Sequence, residues 1–294
     1  MPWLLSLCLF LSTPLLLADS EEMRVAILGD DMTYDGRWVV QMEAAIRAQK
    51  GLARCSIVNF ALPSETVSGL SESGHAGGSY PRPCLLKRLK RILEQYRPTH
   101  VIVFYGINDG IYLSLDEGRF NAYCEGMNKV RVQCLRAAAR PIFLTPPLFE
   151  PDRPKPTNNY HLVMQAYADW LVKQRKLGWE VIDVHTKLIS GVERLKRENP
   201  RYIYARDGVH PGDEGHQLIA QVVWDDLAPK MQWRPELPVL DLAKTKPLTL
   251  SMQALRNAWL TQIGYEGPSL AAGMPLPEAE ARSDVLLSEF FRTL

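Results

Sequence analysis

Short apolar, β-branched runs alternate with longer amphipathic stretches along most of the chain. The runs at 24–28, 56–60, 100–105, 141–145 and 180–183 predict strands, and their continuous apolar character is that of strands buried on both faces. Amphipathic stretches at 38–49, 85–96, 120–138, 158–176 and 214–227 predict helices, with Pro98 ending the second. Strands that alternate with helices make an α/β fold with a parallel sheet covered on both sides. Such sheets bind ligands outside the carboxyl ends of their strands, so the loops after each strand are where chemistry is sought.

The pattern changes at both ends. From Met231 on, Pro235, Pro238 and Pro247 punctuate a linker, followed by two short predicted helices at 250–263 and 278–293. This segment, 231–294, carries no catalytic signal and reads as a small helical C-terminal appendage. At the other end, 4–17 is almost wholly apolar and is followed by Ala18 and then Asp19-Ser20-Glu21-Glu22. As a helix this run reaches about 21 Å, short of the ~30 Å hydrocarbon layer. Residues 1–18 are therefore expected to be a signal peptide cleaved after Ala18, making the protein secreted or periplasmic, with no stable membrane insertion afterwards.

Composition narrows the partners. Apolar residues make up 46% of the chain, enough for a sizeable core, and the net charge is +1. The one short basic patch, Lys87, Arg88, Lys90 and Arg91, reads as a solvated helix face, and nucleic acid is not an expected partner. Beyond Cys8 in the leader, Cys55, Cys84, Cys124 and Cys134 remain. The last two lie about 15 Å apart on one predicted helix, too far to bridge. With no CxxC or Cys/His ligand spacing, the cysteines are expected to be buried apolar residues. His210 and His216 lack a third ligand nearby, so neither metal nor cofactor is expected.

Four polar blocks follow the predicted strands or precede the last helix. They are Gly29-Asp30-Asp31, the stretch from Asn59 to Thr66, Gly106-Ile107-Asn108-Asp109, and Asp207-Gly208-Val209-His210-Pro211. Singly each is a cap or a turn. In this order the set resembles the four blocks of the SGNH (GDSL-type) ester hydrolases, over a domain spanning 23–228. The resemblance implies a flavodoxin-like three-layer α/β/α sandwich with a five-stranded parallel sheet. By position it makes His210 the base and Asp207 the residue that orients it. Asn108 and the Ser64 backbone N–H become oxyanion donors, and Gly106 permits the turn that aims Asn108. The logic is that of acyl transfer, with a base held in one tautomer and donors aimed at developing charge. The implied substrate is a small-molecule or carbohydrate-borne acyl ester.

Two departures matter. Ala61 and Ser64 stand where the family usually has glycine, and Asp31 stands where it has the nucleophilic serine. A carboxylate of pKa about 4 that attacked an acyl carbon would have to expel an alkoxide of pKa ~16. That gap of roughly 12 units is on the order of 16 kcal/mol in favour of return to reactants. Three roles stay open for Asp31: activating water together with His210, attacking an alkyl carbon, or marking a site that only binds. The leading reading is an exported SGNH-type ester hydrolase, and the alternative is a catalytically inactive binding protein on the same scaffold. The long Gly-rich loop at 62–82 is expected to contact the substrate, with His75 and Tyr80 as candidate contacts.

Overall fold

The computed structural model describes residues 23–53, 55–150, 159–238 and 242–293, so the expected leader at 1–18 lies outside the described residues. Five strands, β1 (Arg24–Gly29), β2 (Ser56–Asn59), β3 (His100–Phe104), β4 (Arg140–Leu144) and β5 (Glu180–Ile182), form one sheet in the order β2-β1-β3-β4-β5. Every pairing is parallel. Val25 to Leu28 and Val101 to Phe104 are all buried, which is why these runs show no alternation. Chain order reverses at β1, so the crevice of the fold opens where β1 and β3 end.

The helices are α1 (Asp31–Asp35), α2 (Arg37–Arg47), α3 (Leu89–Tyr96), α4 (Glu117–Arg136), α5 (Tyr160–Lys173), α6 (Val184–Glu198), α7 (Asp213–Lys230), α8 (Leu242–Ile263) and α9 (Leu276–Phe291). Helix α2 packs on α7, while α4 packs on β4 between α3 and α5. Helix α6 was not expected. It follows β5 directly, with Asp183 as its N-cap accepting from Thr186 N at 3.1 Å, and it buries Val184, Leu188 and Val192 along one stripe. The helix expected from residue 85 is broken into a 3-10 turn, Leu85–Lys87, and α3. Helix α8 begins before Pro247 rather than after it. That proline sits early in the helix, where it forfeits one intrahelical bond without ending it.

The basic patch corrects another expectation. Arg88 is buried rather than solvated and grips Glu65 through Nε–Oε1 at 2.6 Å and a second nitrogen on Oε2 at 2.5 Å. Arg91 donates to the carbonyls of Ile263 at 2.6 Å and Gly264 at 3.0 Å, where α8 ends, and Lys87 pairs with Glu266 at 2.5 Å. Helix α8 packs on α2, α3 and β2, and Trp259 meets Phe60 and Tyr96 edge-on. Cys55, Cys84, Cys124 and Cys134 are all free thiols. Among the described residues no helix is long and apolar enough to cross a membrane.

Candidate active site

The turn after β1 carries Asp31 at the start of α1, and its backbone is tightly constrained. A side chain on Gly29 would meet Thr33 Oγ1 at 2.2 Å, because Thr33 is folded inward and fully buried. The Thr33 hydroxyl therefore faces the core, and Asp31 alone of this turn's reactive side chains reaches the other blocks. Its Oδ2 accepts two hydrogen bonds, from Ser64 N at 2.9 Å and from Asn108 Nδ2 at 2.9 Å. These are the two donors that the resemblance assigns to an oxyanion, and the Asp31 carboxylate engages both. Oδ1 accepts none from the described residues, and it is not among the buried polar atoms left without a partner.

Each donor has a local cause. Ser64 sits at φ 62°, in the left-handed region that favours glycine, which explains what the usual residue does there. Serine holds the same N–H in place at a conformational cost of about 1–2 kcal/mol. Ala61 is fully buried, and its φ is not positive, so alanine is accommodated without strain. Gly106 has φ 137°, and a Cβ there would meet Pro146 Cγ at 2.5 Å, so both backbone and packing require glycine. Beyond this turn Asn108 is fixed from behind. Its Oδ1 accepts from Arg82 at 2.8 Å and from the Tyr112 hydroxyl at 3.1 Å, which turns Nδ2 toward Asp31.

Arg82 and Tyr112 were not singled out from the sequence. The available signal was Pro81-Arg82-Pro83, one cation between two rigid residues in a polar loop. That loop is organised by Glu72, which Arg82 engages with two nitrogens at 2.7 Å each. His75 Nδ1 lies 3.6 Å from the same carboxylate, and its ring meets Tyr80 edge-on at 5.5 Å. Both candidate contacts thus pack within the loop.

His210 and Asp207 pair with each other in the loop before α7. His210 Nδ1 lies 2.6 Å from Asp207 Oδ2, while Asp207 Oδ1 accepts from the Val209 N–H at 2.9 Å and the His210 N–H at 2.8 Å. Partial burial pushes the Asp207 carboxyl up, but the bonds from the His210 N–H and ring and from Val209 outweigh it and bring its pKa down to about 2. An ionised Asp207 accepts the Nδ1 proton and leaves Nε2 as the basic nitrogen. The pair is half exposed and adjoins a cavity of about 250 Å³ lined by Ile203, Tyr204 and Arg206. His210 makes no ion pair with Asp31 within 4.0 Å. His216 lies behind this loop, buried, with Nε2 3.6 Å from Asp35 Oδ1. Burial and then the Arg37 charge lower its pKa to about 4, so it is neutral. Among the described residues no group of three or more His, Cys, Asp or Glu is placed to hold a metal.

The chain belongs to the GDSL-like lipase/acylhydrolase family. The family's model matches residues 27–218, which hold all four blocks. Among solved structures, the fold is similar to an acetyl xylan esterase, AlAXEase, at 17% identity and TM-score 0.54, covering 69% of this chain and 98% of that one. It is equally similar to a catalytic mutant of an acetylxylan esterase from Geobacillus stearothermophilus, at 14% identity and TM-score 0.54, covering 74% and 97%. A gut microbial diltiazem-metabolizing enzyme matches at 15% identity and TM-score 0.51 over 70% of this chain, but over only 47% of its own length. No curated protein sequence matches the chain. The structural likenesses establish the fold, and α8 and α9 lie outside the family match.

Helix α8 nevertheless touches the segment around Asp31, and α9 packs on α8. Arg256 of α8, nearly buried, donates to the Tyr34 carbonyl and lies 3.8 Å over the Tyr34 ring. A Cβ on Gly36 would meet Met252 Cε at 2.3 Å. Asn59, at the end of β2, donates to the Thr33 carbonyl at 2.6 Å. Helix α8 is thus packed against the segment that presents Asp31.

Under Asp31 lie further buried carboxyls. Neither carboxyl oxygen of Asp30 has a hydrogen-bond partner among the described residues, and burial, then the charges of Asp31 and Asp109, push it well above the carboxylate range. Asp109 Oδ1 accepts from Val67 N at 2.9 Å and Ser68 N at 2.8 Å, tying the loop after β2 to the loop after β3. Burial raises Asp109 to about 6 despite these bonds. A carboxyl with a raised native pKa contributes stability that is full below its unfolded value, about 3.9, and lost as pH rises through about 6. Asp109→Asn should abolish that dependence, on the order of 3 kcal/mol between these limits. Urea unfolding of both forms at pH 4 and pH 7 checks it. Parallel changes in the two proteins would show that Asp109 does not titrate in this window.

Proposed function

We propose that the protein is an exported ester hydrolase acting on small or carbohydrate-borne acyl esters, without a serine nucleophile. The observation that carries this reading is the set of distances joining His210 to Asp207 and the Ser64 and Asn108 donors to a single oxygen. His210 Nε2 takes a proton from water, and the water attacks the acyl carbon. The imidazolium then protonates the departing alkoxide. For an acyl substrate to use the two donors, the Asp31 carboxylate must first rotate out of them, which makes the native enzyme slow. Asp31, once rotated, orients the attacking water. The substrate class follows the acetyl xylan esterases among the structural neighbours, and export follows the apolar 4–17 run.

The test is hydrolysis of 4-nitrophenyl acetate and of acetylated xylo-oligosaccharides by the native protein and by His210→Ala. General-base catalysis contributes about 10²–10⁴, so loss of at least a hundredfold is expected. Equal rates in the two proteins would remove His210 from the chemistry. N-terminal sequencing of protein recovered outside the cytoplasm should begin after Ala18. The occupied hole favours a second reading, an inactive binding protein, and under it both proteins are silent from the outset.

A further inference from the structure

We propose that the same site also hydrolyses small primary alkyl halides, through an ester formed on Asp31 itself. The proposal rests on the reading of His210, Asp207 and the two donors given above, but not on an acyl substrate entering the hole. The decisive feature is which oxygen the donors hold. In acyl transfer they must bind the carbonyl oxygen of the substrate, and here they already bind Oδ2 of Asp31. The carbon placed for oxyanion chemistry is therefore Asp31 Cγ. Oδ1 has no hydrogen bond from the described residues and is free to act as a nucleophile.

Attack at a saturated carbon avoids the barrier that excludes acyl transfer. An Oδ1 lone pair forms the new C–O bond while the carbon–halogen bond breaks, and the halide leaves with the bonding pair and needs no proton. Halide is a weaker base than carboxylate, so this step runs forward where expulsion of an alkoxide does not. The product is an alkyl ester of Asp31, with Oδ1 as the ester oxygen and Oδ2 as the carbonyl oxygen. Water then attacks Cγ and gives its proton to His210 Nε2, and the electron pair of the carbonyl moves onto Oδ2. That oxygen stays where the Ser64 N–H and Asn108 Nδ2 groups already hold it, so no side chain has to move for the oxyanion to be stabilised. The intermediate collapses by breaking Cγ–Oδ1, and the alkoxide takes the proton from His210. The Asp31 carboxyl loses the remaining water proton to solvent, which restores the carboxylate and balances the halide. The balance is one alkyl halide and one water to one alcohol and one hydrogen halide. The alcohol carries off an oxygen of Asp31, and the water oxygen remains in the carboxylate.

The oxygen exchange and the covalent ester give readouts that simple hydrolysis lacks. Full-length His210→Gln incubated with 1-bromobutane, 1-bromopropane or benzyl bromide should gain the mass of one alkyl group per chain, on the peptide containing Asp31. Asp31→Asn should gain none there. The native protein should release bromide repeatedly, and a single turnover in ¹⁸O-water should place the label in Asp31 and leave the alcohol unlabelled. Absence of an Asp31 adduct with all three halides, equal alkylation in Asp31→Asn, or label in the alcohol each overturns the proposal. Acetate ester hydrolysis is measured separately. Activity there without an adduct defeats this inference alone, and an adduct without that activity defeats the deacylase reading alone.

Discussion

Asp31→Ser is expected to raise the rate of acyl-ester hydrolysis by at least a hundredfold over the native protein. The substitution places a hydroxyl at the start of α1 and clears a carboxylate oxygen from two donors at 2.9 Å. A single oxyanion donor is worth about 10²–10³ in rate, and here two are released together. The supports of the hole do not depend on residue 31. Arg82 and Tyr112 hold Asn108 from the far side, and the Ser64 N–H is aimed by its own left-handed backbone. Asp207 keeps its bonds to His210 in either form. The readout is kcat/KM on 4-nitrophenyl acetate, with Asp31→Asn as the companion. Asparagine keeps the shape but removes the charge, so it separates the roles of the native residue. If the carboxylate orients water, Asn loses the native activity. If the site only binds, native and Asn forms are equally silent and Ser alone responds. A folded but inactive Ser variant, tried on a range of acyl esters, would mean that the four blocks hold no latent hydrolase.

The sheet and the four blocks were legible because each rests on local rules. Continuous apolar runs mark buried parallel strands, and three of the polar blocks stand at strand ends where a doubly wound sheet opens its crevice, the fourth preceding α7. What was not legible is how distant side chains close on one another. Nothing in the sequence around Arg82 says that it reaches Asn108, because the loop that ends in Arg82 is shaped by Glu72 and not by a repeating pattern. Helix α6 is masked in the sequence for a different reason. It follows β5 with only Asp183 between, and that residue serves as the last of the expected strand and as the N-cap. Arg88 was misplaced by composition. In a run of four nearby cations it reads as solvated, yet it faces a carboxylate that lies 23 residues earlier. The two donors on Asp31 lay between these extremes: the resemblance predicts that residue 31 meets Ser64 and Asn108, and the bond lengths define which oxygen they hold.

The Arg88–Glu65 pair supports the second large effect, on stability. Both side chains are almost fully buried, at 2% and 0% exposure, and Tyr105 donates its hydroxyl to Glu65 Oε2 at 2.5 Å. Arg88 also donates to the Phe60 carbonyl at 2.6 Å, so one guanidinium fastens both ends of the segment that contains Ser64. Burying two charges is costly in itself, and the pair is close to neutral only while both members are present. Arg88→Met should therefore destabilise the protein by about 3–5 kcal/mol, because it leaves Glu65 buried and charged with a single neutral donor. Adding Glu65→Gln should restore a good part of that loss, since the amide still accepts from Tyr105 and carries no charge. Urea unfolding of the two single variants and the double variant measures the coupling. A loss below about 1 kcal/mol for Arg88→Met would show that the pair does not hold the segment together. The same variant should impair the oxyanion donor before it unfolds the domain. Ser64 is the residue before Glu65, and a shift of its N–H by about 1 Å costs on the order of a hundredfold in rate. Introduced into Asp31→Ser, Arg88→Met should accordingly lower kcat at temperatures where circular dichroism shows the fold intact, and Glu65→Gln should recover part of it. Recovery of stability without recovery of kcat would confine the pair to a structural role.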